Sequence, residues 1–390
     1  MGLLRRRLSL PLTLLLTATL LTGCWDRTET NDVAFVLTSS ADLEDDGRYR
    51  VAYMFPLPGS MGGASGGGGG TGGSKSYYID SEVGMTFRDA VGKLQKRTAR
   101  RIFLAHRRTI VIGEKLAKSG INSIFDALPR SPENRMTTFL VATKGKGYDL
   151  LNTEPRFERF PAEVIRELAK SRQSLPTSTK EIGLTLSFKS DPIMSYIEPA
   201  EGQAATNPSK EMQLTGYVQF KSDRMVGLYK KQEANGLMWL LNQVKQQQFT
   251  FPASDDKLIT IAVHGGRSKI TPKLHDDKIT FNVDAEAQGI VVEDHSNEDL
   301  YRAEILRTIE DKFAEQVKNA IVASIKQMQK EGTDSAQLGL KVWRSYPKKW
   351  KEKFEGDWEH YFKEAEFHIV VKASIPNTGV INRNVTTEGM

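Results

Sequence analysis

Leu306, Ile309, Phe313, Val317, Ile321, Ile325 and Met328 recur at spacings of three and four residues. That is the helical period, and it predicts one amphipathic helix from about Asn297 to Lys330. At about 1.5 Å per residue it approaches 50 Å in length, with one continuous apolar stripe. Such a stripe calls for a flat partner. Leu258 to Val263, Ser268 to Leu274, Lys278 to Asp284 and Ala287 to Val292 alternate apolar and polar residues. They read as an antiparallel sheet with one wet face, turning at Gly265-Gly266 and Asp276-Asp277, with the helix packed across it. Asp334 to Val342 adds a short helix, Trp343, Trp350 and Trp358 cluster with Tyr346, Tyr361 and Phe362, and Phe367 to Ile375 reads as a last strand.

The first half of the chain has a different grain. Val33 to Leu37 and Arg48 to Phe55 read as strands, Met85 to Arg101 as helix, and Thr109 to Ile112 as strand. Glu114 to Leu128 reads as helix punctuated by Gly120, Arg135 to Thr143 as strand, and 160 to 174 as helix behind Pro161, tolerated in a first turn. Residues 174 to 209 are rich in Ser, Thr, Pro and Ala and suggest a boundary. Gln213 to Phe220 and Met225 to Tyr229 then form a hairpin, followed by a helix from Glu233 to Gln248. The expected fold class is α+β, mixed α/β, in three domains with mixed and antiparallel sheets, packed helices and one long helix in the C-terminal domain. The expected divisions are 1–23 as leader, 24–200 as an N-terminal α/β domain, 205–265 as a middle hairpin and helix domain, 266–376 as the C-terminal domain, and 377–390 as a tail.

The chain's single cysteine stands at the end of Leu21-Thr22-Gly23-Cys24. Ahead of it lie Arg5, Arg6 and Arg7 and an apolar run from Leu8 to Leu21. This run of about 14 residues is short of the roughly 20 that a membrane-crossing helix needs, so the pattern is that of a secretory leader cut before Cys24. A diacylglycerol group on the Cys24 thiol would then hold the body at a membrane. Removing 1–23 takes three arginines and no acids, and the formal charge falls from +6 to +3. With 39% hydrophobic and 26% charged residues the remainder is globular, and it must be stable without a disulfide.

Little points to chemistry. The glycine-rich stretch within 59–75 behaves as a flexible loop and lacks the Gly-Lys-Ser/Thr of a phosphate loop. The six histidines, His106, His264, His275, His295, His360 and His368, have neither zinc-site spacing nor a second cysteine, so no metal and no cofactor is expected. Paired acids such as Asp45-Asp46, Asp255-Asp256 and Asp276-Asp277 fall in predicted turns. The most positive region spans Arg88 to Arg108, with Arg100, Arg101, Arg107 and Arg108 at its end. For an exported chain nucleic acid is a poor partner, which leaves anionic headgroups or an acidic protein patch, or simply a solvated helix face.

Gly23-Cys24-Trp25-Asp26-Arg27-Thr28-Glu29 followed by Asn31-Asp32-Val33-Ala34 resembles the mature start of the Ger(x)C family, the lipoprotein C subunits of spore germinant receptors. The segments 104–121, 214–240 and 334–350 are similar to that family's later blocks, while the glycine-rich insertion at 62–73 and Thr30 depart from its pattern. The resemblance implies a non-catalytic, three-domain α/β protein on the outer face of the inner spore membrane, acting with integral-membrane A and B subunits. Within that frame Trp25, Asp26 and Arg27, together with Arg100, Arg101, Arg107 and Arg108, are the candidate membrane or partner contacts, because a short tether keeps the first strand near the headgroups. An extracytoplasmic ligand-binding lipoprotein of a transporter is the alternative, and a lipid-anchored hydrolase a more distant one.

Overall fold

The computed structural model describes residues 29–57, 75–203 and 210–377, apart from 245, 255–256, 277 and 297. Cys24, Trp25, Asp26 and Arg27, nearly all of the 59–75 loop, and the tail after 377 lie outside the described residues. The fold is mixed α+β, built on one large sheet, one four-stranded sheet and a two-stranded ribbon.

A 3-10 turn at Thr30–Asp32 leads into β1 (Val33–Phe35). The large sheet takes β2 (Thr38–Leu43), β3 (Tyr49–Pro56) and β4 (Tyr77–Gly84). Helix α1 (Phe87–Arg97) and the short β5 (Arg101–Phe103) intervene before β6 (Thr109–Gly113). Then come α2 (Glu114–Ser119), α3 (Asn122–Ala127), β7 (Phe139–Thr143), α4 (Gly147–Leu151), α5 (Pro161–Ala169), α6 (Thr179–Ser187), β8 (Ile193–Glu201), β9 (Lys210–Lys221) and β10 (Arg224–Lys230). The strand order is β10-β9-β8-β7-β6-β2-β3-β4. Its middle, β8-β7-β6-β2, is parallel, and both flanks are antiparallel.

Parallel strands need crossovers, and those crossovers cover both faces. On β6 and β7, Ile110, Ile112, Leu140 and Ala142 point to the cluster holding Leu116, Ala117 and Ile124 of α2 and α3. Val111 and Val141, between them, point the other way, to Leu150, Leu151, Ala162 and Ile165 of α4 and α5. Several boundaries differ from expectation for local reasons. The helix expected over 85–101 begins where the Thr86 hydroxyl accepts the Asp89 N–H and stops at Arg97, so Arg100 lies in a connection and Arg101 in a strand. The helix expected over 114–128 is two helices, broken at Gly120 with φ +129°.

After α7 (Gln232–Leu240) the second sheet forms from β11 (Gln248–Ser254), β12 (Lys257–His275), β13 (Lys278–Asp294) and the terminal β14 (Glu366–Asn377), in that order. Helix α8 (Ala303–Glu331) lies against it, with Ile309, Phe313, Val317, Ile321, Ile325 and Met328 all buried in the shared core. It starts at Ala303 rather than near Asn297, since the Asp294 and Asp299 carboxylates accept the Ser296 and Tyr301 N–H groups and fold the preceding residues into turns. Two predicted strands merge into β12, which continues through Gly265-Gly266 with a register shift between Val263 and Gly265. A Cβ on Gly266 would stand 2.5 Å from the Trp239 ring, so this glycine admits an indole rather than making a turn.

Helices α9 (Leu338–Ser345) and α10 (Trp358–Lys363) close one end of this body. Trp350 and Trp358 pack at a tilt, with ring centres 5.2 Å apart, against Gly339. β8 pairs β9 from Ile193↔Gln219 to Glu201↔Lys210, and β12 pairs β13 from Ile259↔Asp294 to His275↔Lys278. Pairing of β9 and β10 with the first sheet follows from buried Tyr217, Val218, Phe220 and Tyr229, which no free hairpin could cover.

Candidate partner-facing surface at the first strand

Strand β1 is parallel to β5, with Val33 opposite Arg101, Ala34 opposite Ile102 and Phe35 opposite Phe103. The pairing holds because Val33 and Ile102 are buried and because the strand is stitched further on. The Val36 N–H donates to the Phe103 carbonyl at 3.0 Å, and the Arg108 N–H donates to the Leu37 carbonyl at 3.0 Å. Arg101 therefore stands beside the first residue of the first strand.

The surface there is aromatic and charged. Phe35 lies 5.7 Å from Phe103 and 5.1 Å from the His106 ring, and the Arg101 guanidinium sits 5.7 Å from the Phe103 ring centre. Arg101 also reaches Glu133 at 3.5 Å, an exposed pair of small energetic weight. Arg100 and Arg108 are exposed. Opposite charge is close by, as Glu29 and Asp32 flank the opening 3-10 turn, where the Glu29 N–H donates to Asp32 at 3.4 Å. Such a surface, with cations over rings and a polar rim, suits a protein or headgroup contact.

The remainder of the basic region is not an open positive face. Arg97 is held by Asp80 at 2.8 Å and by Glu82, and hydrogen bonding to Arg97 keeps the Asp80 carboxyl below its ordinary range. Lys93 pairs with Asp89 at 2.9 Å. Arg107, expected at the surface with its neighbours, is buried at 7% exposure. It donates to Ser39 Oγ at 3.2 Å and to Asn134 Oδ1 at 2.8 Å. The cause is a turn: the Arg107 N–H donates to the Leu104 carbonyl at 2.9 Å, and behind it Arg107 and Thr109 are buried while His106 and Arg108 stay exposed. That alternation is the one signal the sequence offered, and the run of positive charge hid it.

A second polar centre went unread in the sequence. Asp334, buried between the two sheets, accepts the Leu338 N–H at 2.7 Å, the Gly339 N–H at 2.6 Å and the Trp358 indole N–H at 3.1 Å. Burial raises its pKa to about 7, with Asp191 adding repulsion. No group of three or more His, Cys, Asp or Glu among the described residues could hold a metal ion. None of their helices is long and apolar enough to cross a membrane.

Residues 26–199 match the family described as spore germination protein N-terminal domain, and residues 215–379 match spore germination B3/GerAC-like, C-terminal. The chain belongs to the GerAC-like family of spore germination proteins. Its relatives include YfkR of Bacillus subtilis (strain 168), provisionally named a spore germination protein, at 34% identity over 95% of this chain and 97% of that one. Spore germination protein KC of the same organism is 26% identical over 97% of this chain and 98% of the relative. In fold, the protein is similar to the crystal structure of the GerBC protein, with a TM-score of 0.58 at 17% identity, covering 87% of this chain and 97% of that one. The GerAC-like matches meet between 199 and 215, the stretch that contains the β8-to-β9 connection.

Proposed function

We propose that the protein is the lipid-anchored C subunit of a spore nutrient germinant receptor. It is held on the outer face of the inner spore membrane by a diacylglycerol group on Cys24 and acts without catalysis, beside integral-membrane A and B subunits. Family membership supports the germination role, and the parallel β1–β5 pairing carries the geometric part. Val33 lies nine positions after Cys24, a reach of at most about 32 Å when fully extended. Val33 is opposite Arg101, so the Arg101, Phe103 and His106 surface stays close to the anchor and to whatever surrounds it. Trp25, Asp26 and Arg27 belong to the tether on this reading. Two acyl chains, at about 0.8 kcal/mol per buried methylene, are enough for stable attachment.

The test is a Cys24→Ala substitution in the spore-forming host, compared with a deletion of the gene on a panel of nutrients. The variant is expected to germinate about as poorly as the deletion, and intact wild-type protein to carry the added mass of the lipid. An unmodified thiol, with the protein recovered from the cytosol, overturns the proposal.

A further inference from the structure

Beneath α1, against the sheet, lies a cavity of about 60 Å³. A single water needs about 10–15 Å³ by the same kind of measure, so this space takes several non-hydrogen atoms. Arg107 lines it together with Ser39, Asn134 and Arg88, and most of the remaining wall is apolar, Val51 and Val91 included. No aspartate or glutamate lines it.

Arg107 is more than nine-tenths buried, yet its two hydrogen-bond acceptors, Ser39 Oγ and Asn134 Oδ1, are neutral. Its Nε–H has no hydrogen-bond partner among the described residues. The other charge nearby, Arg88, has the same sign. A guanidinium stays protonated in proteins, and a buried cation left without a counter-charge is costly. A carboxylate accepts two parallel N–H bonds from a guanidinium and removes that cost.

We propose that this cavity is a binding site for a short-chain monocarboxylate, whose carboxylate meets the Nε–H and a remaining Nη–H of Arg107 and whose hydrocarbon end lies against the apolar wall. The lining offers no carboxylate to an ammonium group and places two arginines beside it, so an amino acid is a poor occupant. The site is independent of the lipid anchor and of the partner surface.

The test uses the full chain in detergent, with sodium propionate as probe and sodium chloride at equal ionic strength as control. Propionate is expected to raise the thermal midpoint saturably by about 2–4 °C, and chloride is not. Asn134→Asp places a carboxylate within reach of Arg107 at the cost of the amide N–H that donates to the Leu128 carbonyl, and it is expected to abolish the propionate response. Titration of wild-type protein with 13C-labelled propionate, followed by NMR, reads the same site without any variant. Saturable binding with one propionate per chain supports the assignment. Absence of binding, equal stabilisation by chloride, or an undiminished response in a folded Asn134→Asp protein overturns it.

Discussion

The backbone N–H of Asp334 donates to Oδ2 of Asp191 at 2.6 Å, and through this bond the segment after α8 is fixed to the large sheet. The other oxygen of Asp191 accepts the Ser222 N–H at 2.6 Å, in the turn between β9 and β10. Asp334 in turn closes the first turn of α9 and takes the Trp358 indole. A half-buried carboxylate, Asp191, and a buried one, Asp334, thus join the bodies that carry the two sheets.

That arrangement gives stability a pH dependence. The folded chain holds the Asp334 proton up to about pH 7, against an ordinary value of 3.8. Between those values the folded state binds more protons than the unfolded chain, so this contribution is fully present below the ordinary value and is lost as pH rises through the window. Asp334→Asn lacks the titration and loses good acceptors for buried N–H groups, at about 1–3 kcal/mol. Urea unfolding should show the wild-type advantage over this variant narrowing from pH 5 to pH 8 by up to about 3 kcal/mol. A gap that stays constant across that range refutes the assignment.

The Tyr229 hydroxyl donates to Ser335 Oγ at 2.9 Å, a buried contact from β10 to the same post-helix segment. Tyr229→Phe is expected to cost about 1–2 kcal/mol. Paired with Ser335→Ala, the loss should be less than additive, which a double-mutant cycle measures directly.

Helices α7 and α8 approach through Gly236. A Cβ there would stand 1.9 Å from the Ala320 carbonyl oxygen, which is backbone and cannot swing aside. Gly236→Ala should destabilise by about 1–3 kcal/mol or more. Gly92→Ala, on α1 with open space around it, should instead stabilise by up to about 1 kcal/mol through helix propensity. Thermal unfolding of the pair separates close approach from a general sensitivity to side chains.

Charge reversal at Arg100, Arg101 and Arg108 tests the surface beside β1. All three side chains are exposed, so folding should change by no more than about 0.5 kcal/mol per site. On the proposed assembly, co-purification with integral-membrane A and B subunits should fall well below wild type. Assembly at wild-type yield, with the fold intact by circular dichroism, would exclude this face as the contact. Arg107 is left out because a carboxylate at that buried position would test folding instead.

What the sequence by itself determined is whatever is written in local period. The stripe from Ile309 to Met328 is buried as the three-and-four spacing requires, and the alternation in 258–292 became two paired strands. The family resemblance was legible in short blocks, and the matches to 26–199 and 215–379 bear it out. What only the tertiary structure decided involves partners far away along the chain. Arg97 is neutralised by Asp80, Arg107 is drawn inward to Ser39 and Asn134, and Asp334 meets Asp191 across 143 positions. Likewise Gly266 reads as a turn until Trp239 arrives to fill its place. Spacing fixes which face of an element is apolar, but the charge state and burial of a polar side chain depend on which distant group packing brings against it.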